Sequence, residues 1–180
     1  MHIVIALTLL VLSACSLQAQ SVVTYVTTGN PYPVWTKYTV TKIANGVSGC
    51  ANANGCWQVN AGAPVAATAG LTQDVVLFQL PAAGHVLSYR IKTATACTGA
   101  TTILTGLGTA STNTFYLAQT YNLITAVSAT NISPALPVNM GSDTASAVNI
   151  VASLITTVAN VDQIANGCSF AVHVLWSVLP

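Results

Sequence analysis

Apolar and polar positions alternate along this chain over short stretches, and the alternation is that of strands. The clearest case is residues 85–93, where Leu87, Tyr89 and Ile91 fall on one face and Ser88, Arg90 and Lys92 on the other. That period of two is the signature of a half-buried strand. In Val34–Ile43 one face carries Val34, Thr36, Tyr38, Val40 and Lys42, and the other Trp35, Lys37, Thr39, Thr41 and Ile43. Neither face is cleanly apolar, so this segment reads as strand through its β-branched and aromatic residues. Residues 74–80 form an apolar run stopped by the turn sequence Pro81-Ala82-Ala83-Gly84, with His85 just beyond in the turn. Further strands are expected over 22–28 and near 101–106, 113–119, 123–128, 146–156 and 168–178, while 119–126 has room for one helical turn. Between them, 44–70 is a Gly/Ala/Asn-rich insertion.

Short strands at this spacing, with helix formers scarce, predict an all-β fold: a jelly-roll-like β-sandwich of about 8–10 short strands. No internal repeat or second domain is evident. The expected organisation is a signal peptide over residues 1–20 and a single β-sandwich domain over 21–180, with 44–70 as its insertion.

Composition changes the picture of the surface. Only 4% of the 180 residues are charged, against roughly 25% in an ordinary soluble domain. The ions are Lys37, Lys42, Arg90, Lys92, Asp74, Asp143 and Asp162, and the net charge is +1. A nucleic-acid partner needs a basic footprint that this chain lacks. Mean hydropathy is high (+0.66), yet beyond the leader no stretch of about 18 apolar residues runs uninterrupted. Thr, Asn, Ser and Gln replace the usual charges. A surface with so little charge repulsion favours association, so self-association or packing against other structural proteins is the expected partnership.

The run from Ile3 to Leu12 is too short to span a bilayer and fits the apolar core of a signal peptide. Two processing routes follow. Leu17-Gln18-Ala19 offers a small-residue cleavage site, and Leu12-Ser13-Ala14-Cys15 resembles a lipobox, in which Cys15 is lipidated and anchors the protein to a membrane. Export, to the extracellular space or a cell surface, makes disulfides the natural state of the other cysteines. Cys50, Cys56, Cys97 and Cys168 allow three pairings. Cys50 and Cys56 flank the turn-forming Ala-Asn-Ala-Asn-Gly, which closes easily. Their pairing leaves Cys97 with Cys168. The spacings match no zinc pattern.

Catalytic chemistry has little to work with. The three carboxylates are far apart in sequence, so a glycosidase-type pair would need Asp74 and Asp143 brought together by the fold. His85 and His173 read as structural or surface histidines. There is no nucleophile elbow or phosphate-binding loop, and Gly106-Leu-Gly108 lacks a third glycine. No cofactor or catalytic residue is assigned. Trp35, Trp57 and Trp176, with Tyr25, Tyr32, Tyr38, Tyr89, Tyr116 and Tyr121, read first as core anchors and alternatively as a carbohydrate platform. Arg90 and Lys92 share a face, and Asp74 would pair with them across a hairpin of 74–80 with 85–92.

Four blocks carry a resemblance: Trp35-Thr36-Lys37, Asp74-Val-Val-Leu-Phe-Gln-Leu-Pro81-Ala82, Val86-Leu-Ser-Tyr-Arg-Ile-Lys92 with Thr95-Ala96, and the terminal Val172-His-Val-Leu-Trp-Ser-Val-Leu-Pro180. In this order, over residues 33–180, they resemble a group of small virion structural proteins of tailed bacteriophages. The resemblance implies a non-enzymatic structural or assembly subunit of a virion or, given the leader, of an extracellular surface assembly. Cys97 stands where the family has an aromatic residue, which implies a disulfide in place of an aromatic core contact. The alternative is a secreted carbohydrate- or host-surface-binding module, marked by exposed aromatics with Asn and Asp beside them.

Overall fold

A computed structural model describes residues 33–124 and 146–178. The signal segment with Cys15, the expected strand 22–28, Tyr25, Tyr32 and Asp143 lie outside the described residues, as does most of 123–128. Nine strands are described: β1 (Val34–Ile43), β2 (Cys56–Val59), β3 (Val65–Ala66), β4 (Thr72–Leu80), β5 (Gly84–Thr95), β6 (Thr102–Thr109), β7 (Leu117–Asn122), β8 (Val148–Thr157) and β9 (Ser169–Val178). They form two antiparallel sheets, β3-β2-β1-β9-β5 and β4-β8-β6-β7. With the short β2 and β3 set aside, β1 pairs with β9 and β4 with β8. Outer strands pairing with outer strands in this way is the wrapping of a jelly roll.

The core lies between the sheets. β1 contributes Tyr38 and Val40, β5 Tyr89 and Ile91, and β9 Phe170, Val172 and Val174; opposite them lie Val75, Leu80, Ile103, Leu107, Ile150 and Leu154. The Tyr38 and Phe78 rings stack across the gap with centroids 4.9 Å apart, joining the two sheets. Phe78 also packs on Trp176, whose indole Nε1 donates to Thr36 Oγ1 at 3.1 Å.

Both disulfides form as the spacing suggested, Cys50–Cys56 and Cys97–Cys168, with Cα separations of 5.8 and 4.6 Å. The first closes the turn into β2. The second ties the end of β5 to the start of β9, beside the Thr95–Ser169 pair.

Four expectations are corrected. Strands β4 and β5 are not a hairpin: they belong to different sheets, and the Pro81–Gly84 turn, closed by Gly84 N–H donating to the Pro81 carbonyl, carries the chain between them. Ala83 there takes a positive φ of 57°, and Asp74 cannot reach Arg90 or Lys92. His85 is not in the turn but within β5, and is buried. Leu87 sits at a register shift between Val86 and Ser88, so Val86, Tyr89 and Ile91 are the buried residues and Leu87 is only half-buried. Gln119–Asn122 belong to β7, not to a helical turn. The 44–70 insertion also holds structure: β2 and β3 extend the first sheet, and Trp57 is fully buried against Phe170.

Candidate functional site

Strand pairing places the chain's exposed cations on one surface. On β1 the side chains of Trp35, Lys37 and Thr39 point outward, because Tyr38 and Val40 point in. Register then sets Lys37 beside His173 of β9, and His173 beside Arg90 of β5. Strands lie about 4.8 Å apart, so these three side chains form a row about 10 Å long. Lys92, two residues along β5, extends the row by one diagonal. Trp35 lies one outward position away and is 52% exposed. Trp35, Arg90 and His173 line a shallow cavity of about 240 Å³.

No acidic group among the described residues faces this row. Asp74 lies on the other sheet, where Asn113 Nδ2 donates to it at 3.4 Å, and Asp162 is buried. Partial burial, followed by the charges of Lys37, Arg90 and Lys92, holds the His173 imidazole below its ordinary pKa of 6.5. Like charges on neighbouring strands destabilise a sheet. In a chain with four Lys and Arg residues in all, three of them share this face.

The fourth, Lys42, lies on the opposite face of β1 and is fully buried. Its Nζ donates to the carbonyls of Asn54 (2.5 Å), Asp162 (3.3 Å) and Ile164 (3.4 Å). The ammonium therefore fastens the loop before β2 and the 3₁₀ turn Val161–Gln163 to the first sheet. Burial lowers its pKa and the nearby Asp162 charge works in the opposite direction. Asp162 Oδ2 accepts from Asn54 Nδ2 at 2.9 Å, whereas its buried Oδ1 has no hydrogen-bond partner among the described residues. Gly55 makes this close packing feasible: its φ is +82°, and a Cβ there would lie 2.5 Å from the Ile43 carbonyl oxygen and 3.2 Å from Lys42 Nζ.

Of the described aromatic residues weighed as a carbohydrate platform, Trp57, Tyr38, Tyr89 and Tyr116 are core, Trp176 and Tyr121 pack against the core edge, and Trp35 alone among these stands well exposed. Its cross-strand partner is Leu175, and the hollow beside it is lined by Arg90 and His173 rather than by Asn or Asp. Arg90 and Lys92 share an outer face as read from the sequence. That Lys37 and His173 complete the row follows from long-range pairing that local patterning does not encode. Among the described residues no group of three His, Cys, Asp or Glu side chains is placed to hold a metal ion. No family model, curated protein or solved structure matches the chain.

Proposed function

We propose that the domain is a non-enzymatic structural subunit that packs against copies of itself or other subunits in a virion or extracellular surface assembly. The observation that carries this reading is the side of the sandwich where β3 and β4 are the sheet edges. Val65, Leu71 and Val76 are each about half exposed there, and the one charged side chain among the described residues on those strands is Asp74. Edges of monomeric sheets are commonly guarded by lysines, prolines or inward charges. Among the described residues no strand pairs with the outer edge of β4, where Val76 stands open to a neighbour, and Val65 stands open beside it on the two-residue β3, whose Ala66 carbonyl accepts from Gln73 Nε2. Hydroxyl and amide groups elsewhere on the surface can bond across an interface at a lower desolvation cost than charges.

The two disulfides suit a subunit that works in an oxidising environment, in keeping with export by residues 1–20 and, if Cys15 is lipidated, with a surface anchor. The resemblance to tailed-bacteriophage structural proteins points to the same class of role. His173 stands among cations and not beside a carboxylate, an arrangement that does not favour a general base.

The test is light scattering and electron microscopy of the disulfide-bonded mature protein over a range of concentrations, alongside Val65→Asp and Val76→Asp. Assemblies larger than a monomer, lost in the Asp variants, are expected. A wild-type protein that stays monomeric at high concentration would overturn the reading.

A further inference from the structure

We propose that the outer face of the β1-β9-β5 sheet is a binding site for a carboxylated sugar, with the Trp35 ring as the stacking surface and Arg90, Lys37 and His173 as the groups that hold the carboxylate. This site is independent of the assembly reading, since it lies on a sheet face and not on the β3/β4 edges.

Three observations converge on it. First, the cations are collected where they repel one another. Lys37, His173 and Arg90 are paired in register across three adjacent strands, and no described acid faces them. Such a row opposes folding, and a bound anion relieves it. Second, the cavity joins two kinds of recognition. Trp35 supplies an exposed apolar ring, while Arg90 and His173 line the same hollow. Arginine suits a carboxylate through two parallel N–H donors, and an indole face suits the C–H face of a sugar ring. Third, the size is small. About 240 Å³ falls below the span of roughly 300–1,000 Å³ typical of drug-sized ligands, which fits one ring with its carboxylate. A nucleic acid gains affinity by neutralising many phosphates along its length. Three fixed cations in a chain of net charge +1 give little of that.

His173 makes the site sensitive to pH. Among the described residues, the titratable and charged groups that face it are Lys37 from β1 and Arg90 and Lys92 from β5, all cationic. A bound carboxylate favours the imidazolium, so affinity should rise as pH falls through the His173 pKa.

The experiment is titration calorimetry on the full disulfide-bonded protein with sialyl-lactose, a glucuronic-acid disaccharide, lactose, inorganic phosphate and a short single-stranded DNA. At least one of the two acidic sugars is expected to bind at least about tenfold more tightly than lactose, the scale of one charge-assisted hydrogen bond. Arg90→Gln should abolish that preference. Trp35→Ala should weaken the sugar but leave phosphate binding unchanged. Both residues are exposed, and circular dichroism of each variant checks that its fold is kept. Equal or absent binding of acidic and neutral sugars overturns the proposal. So does phosphate binding as tightly as the sugar, which would make this a bare anion site, or binding of the DNA alone. None of these outcomes bears on whether the protein assembles, which the scattering measurement reads separately.

Discussion

The Nζ of Lys42 lies 5.9 Å from the centroid of the Trp57 ring, and neither side chain reaches solvent. A buried ammonium is tolerated when its donors are matched. Here three carbonyls from two segments do the matching, and the ring face adds a cation–π contact. Lys42→Met keeps the aliphatic stem but removes the donors. It should destabilise the protein by about 2–3 kcal/mol, the cost of unsatisfied buried carbonyls. Lys42→Ala should cost about 1–2 kcal/mol more through the cavity it leaves. Urea unfolding measures both, and a Met variant as stable as wild type would show that the charge contributes nothing to holding the loops.

The two disulfides should differ in weight. Cys97–Cys168 spans 71 residues and Cys50–Cys56 spans 6. In the loop-entropy account the long bridge contributes about 4 kcal/mol and the short one about 2 kcal/mol. Paired Cys→Ser replacements compared by urea denaturation should therefore rank Cys97/Cys168 as the more damaging. The reverse ranking would mean that the small loop holds β2 in place beyond its entropy.

Stability should fall on the acid side of neutrality through His173. Its folded pKa lies below 6.5, so the unfolded chain takes up the proton first as pH drops. This contribution is fully present above the unfolded value of 6.5 and is lost as pH falls through the folded one. His173→Gln should therefore lose less melting temperature than wild type between pH ~7.5 and pH ~5. A parallel pH dependence in the two proteins would remove His173 from the account.

Tyr38 and Phe78 offer a direct measure of how the sheets are coupled. Their rings are stacked with an interplanar angle of 1°. A double-mutant cycle with Tyr38→Leu and Phe78→Leu should return a coupling of about 0.5–1.5 kcal/mol. Strict additivity would mean that each ring is held by its own sheet.

The strands that sequence patterning located are those whose signal is local. β5 has long enough alternation, and β1, β8 and β9 enough branched and aromatic residues, for their positions to be read directly. Cys56-Trp57-Gln58-Val59 is too short to display a period, and its Gly- and Asn-rich flanks conceal it, so β2 escaped notice although it buries a tryptophan. Pro81-Ala82-Ala83-Gly84 announced a turn correctly, but a turn does not state which sheet receives the next strand. The same limit applies to the candidate site. Arg90 and Lys92 could be placed on one face from their spacing, whereas Lys37 and His173, far apart in the chain, join them only through β9. Lys42 looked like one more polar interruption on the Tyr38/Val40 face; its burial depends on carbonyls supplied by residues 54, 162 and 164, which no local pattern reveals.

Strand β9 follows every other described strand in the chain, yet it is hydrogen-bonded on both sides, between β1 and β5. Synthesis delivers the chain from its amino end, so the first sheet stays in two halves until this segment has left the ribosome. Pairings between residues so distant in sequence also form slowly. Under the export proposed above, the polypeptide would remain threadable long enough to pass a translocation channel, and would close around its keystone only on the far side, where Cys97 and Cys168 can be oxidised.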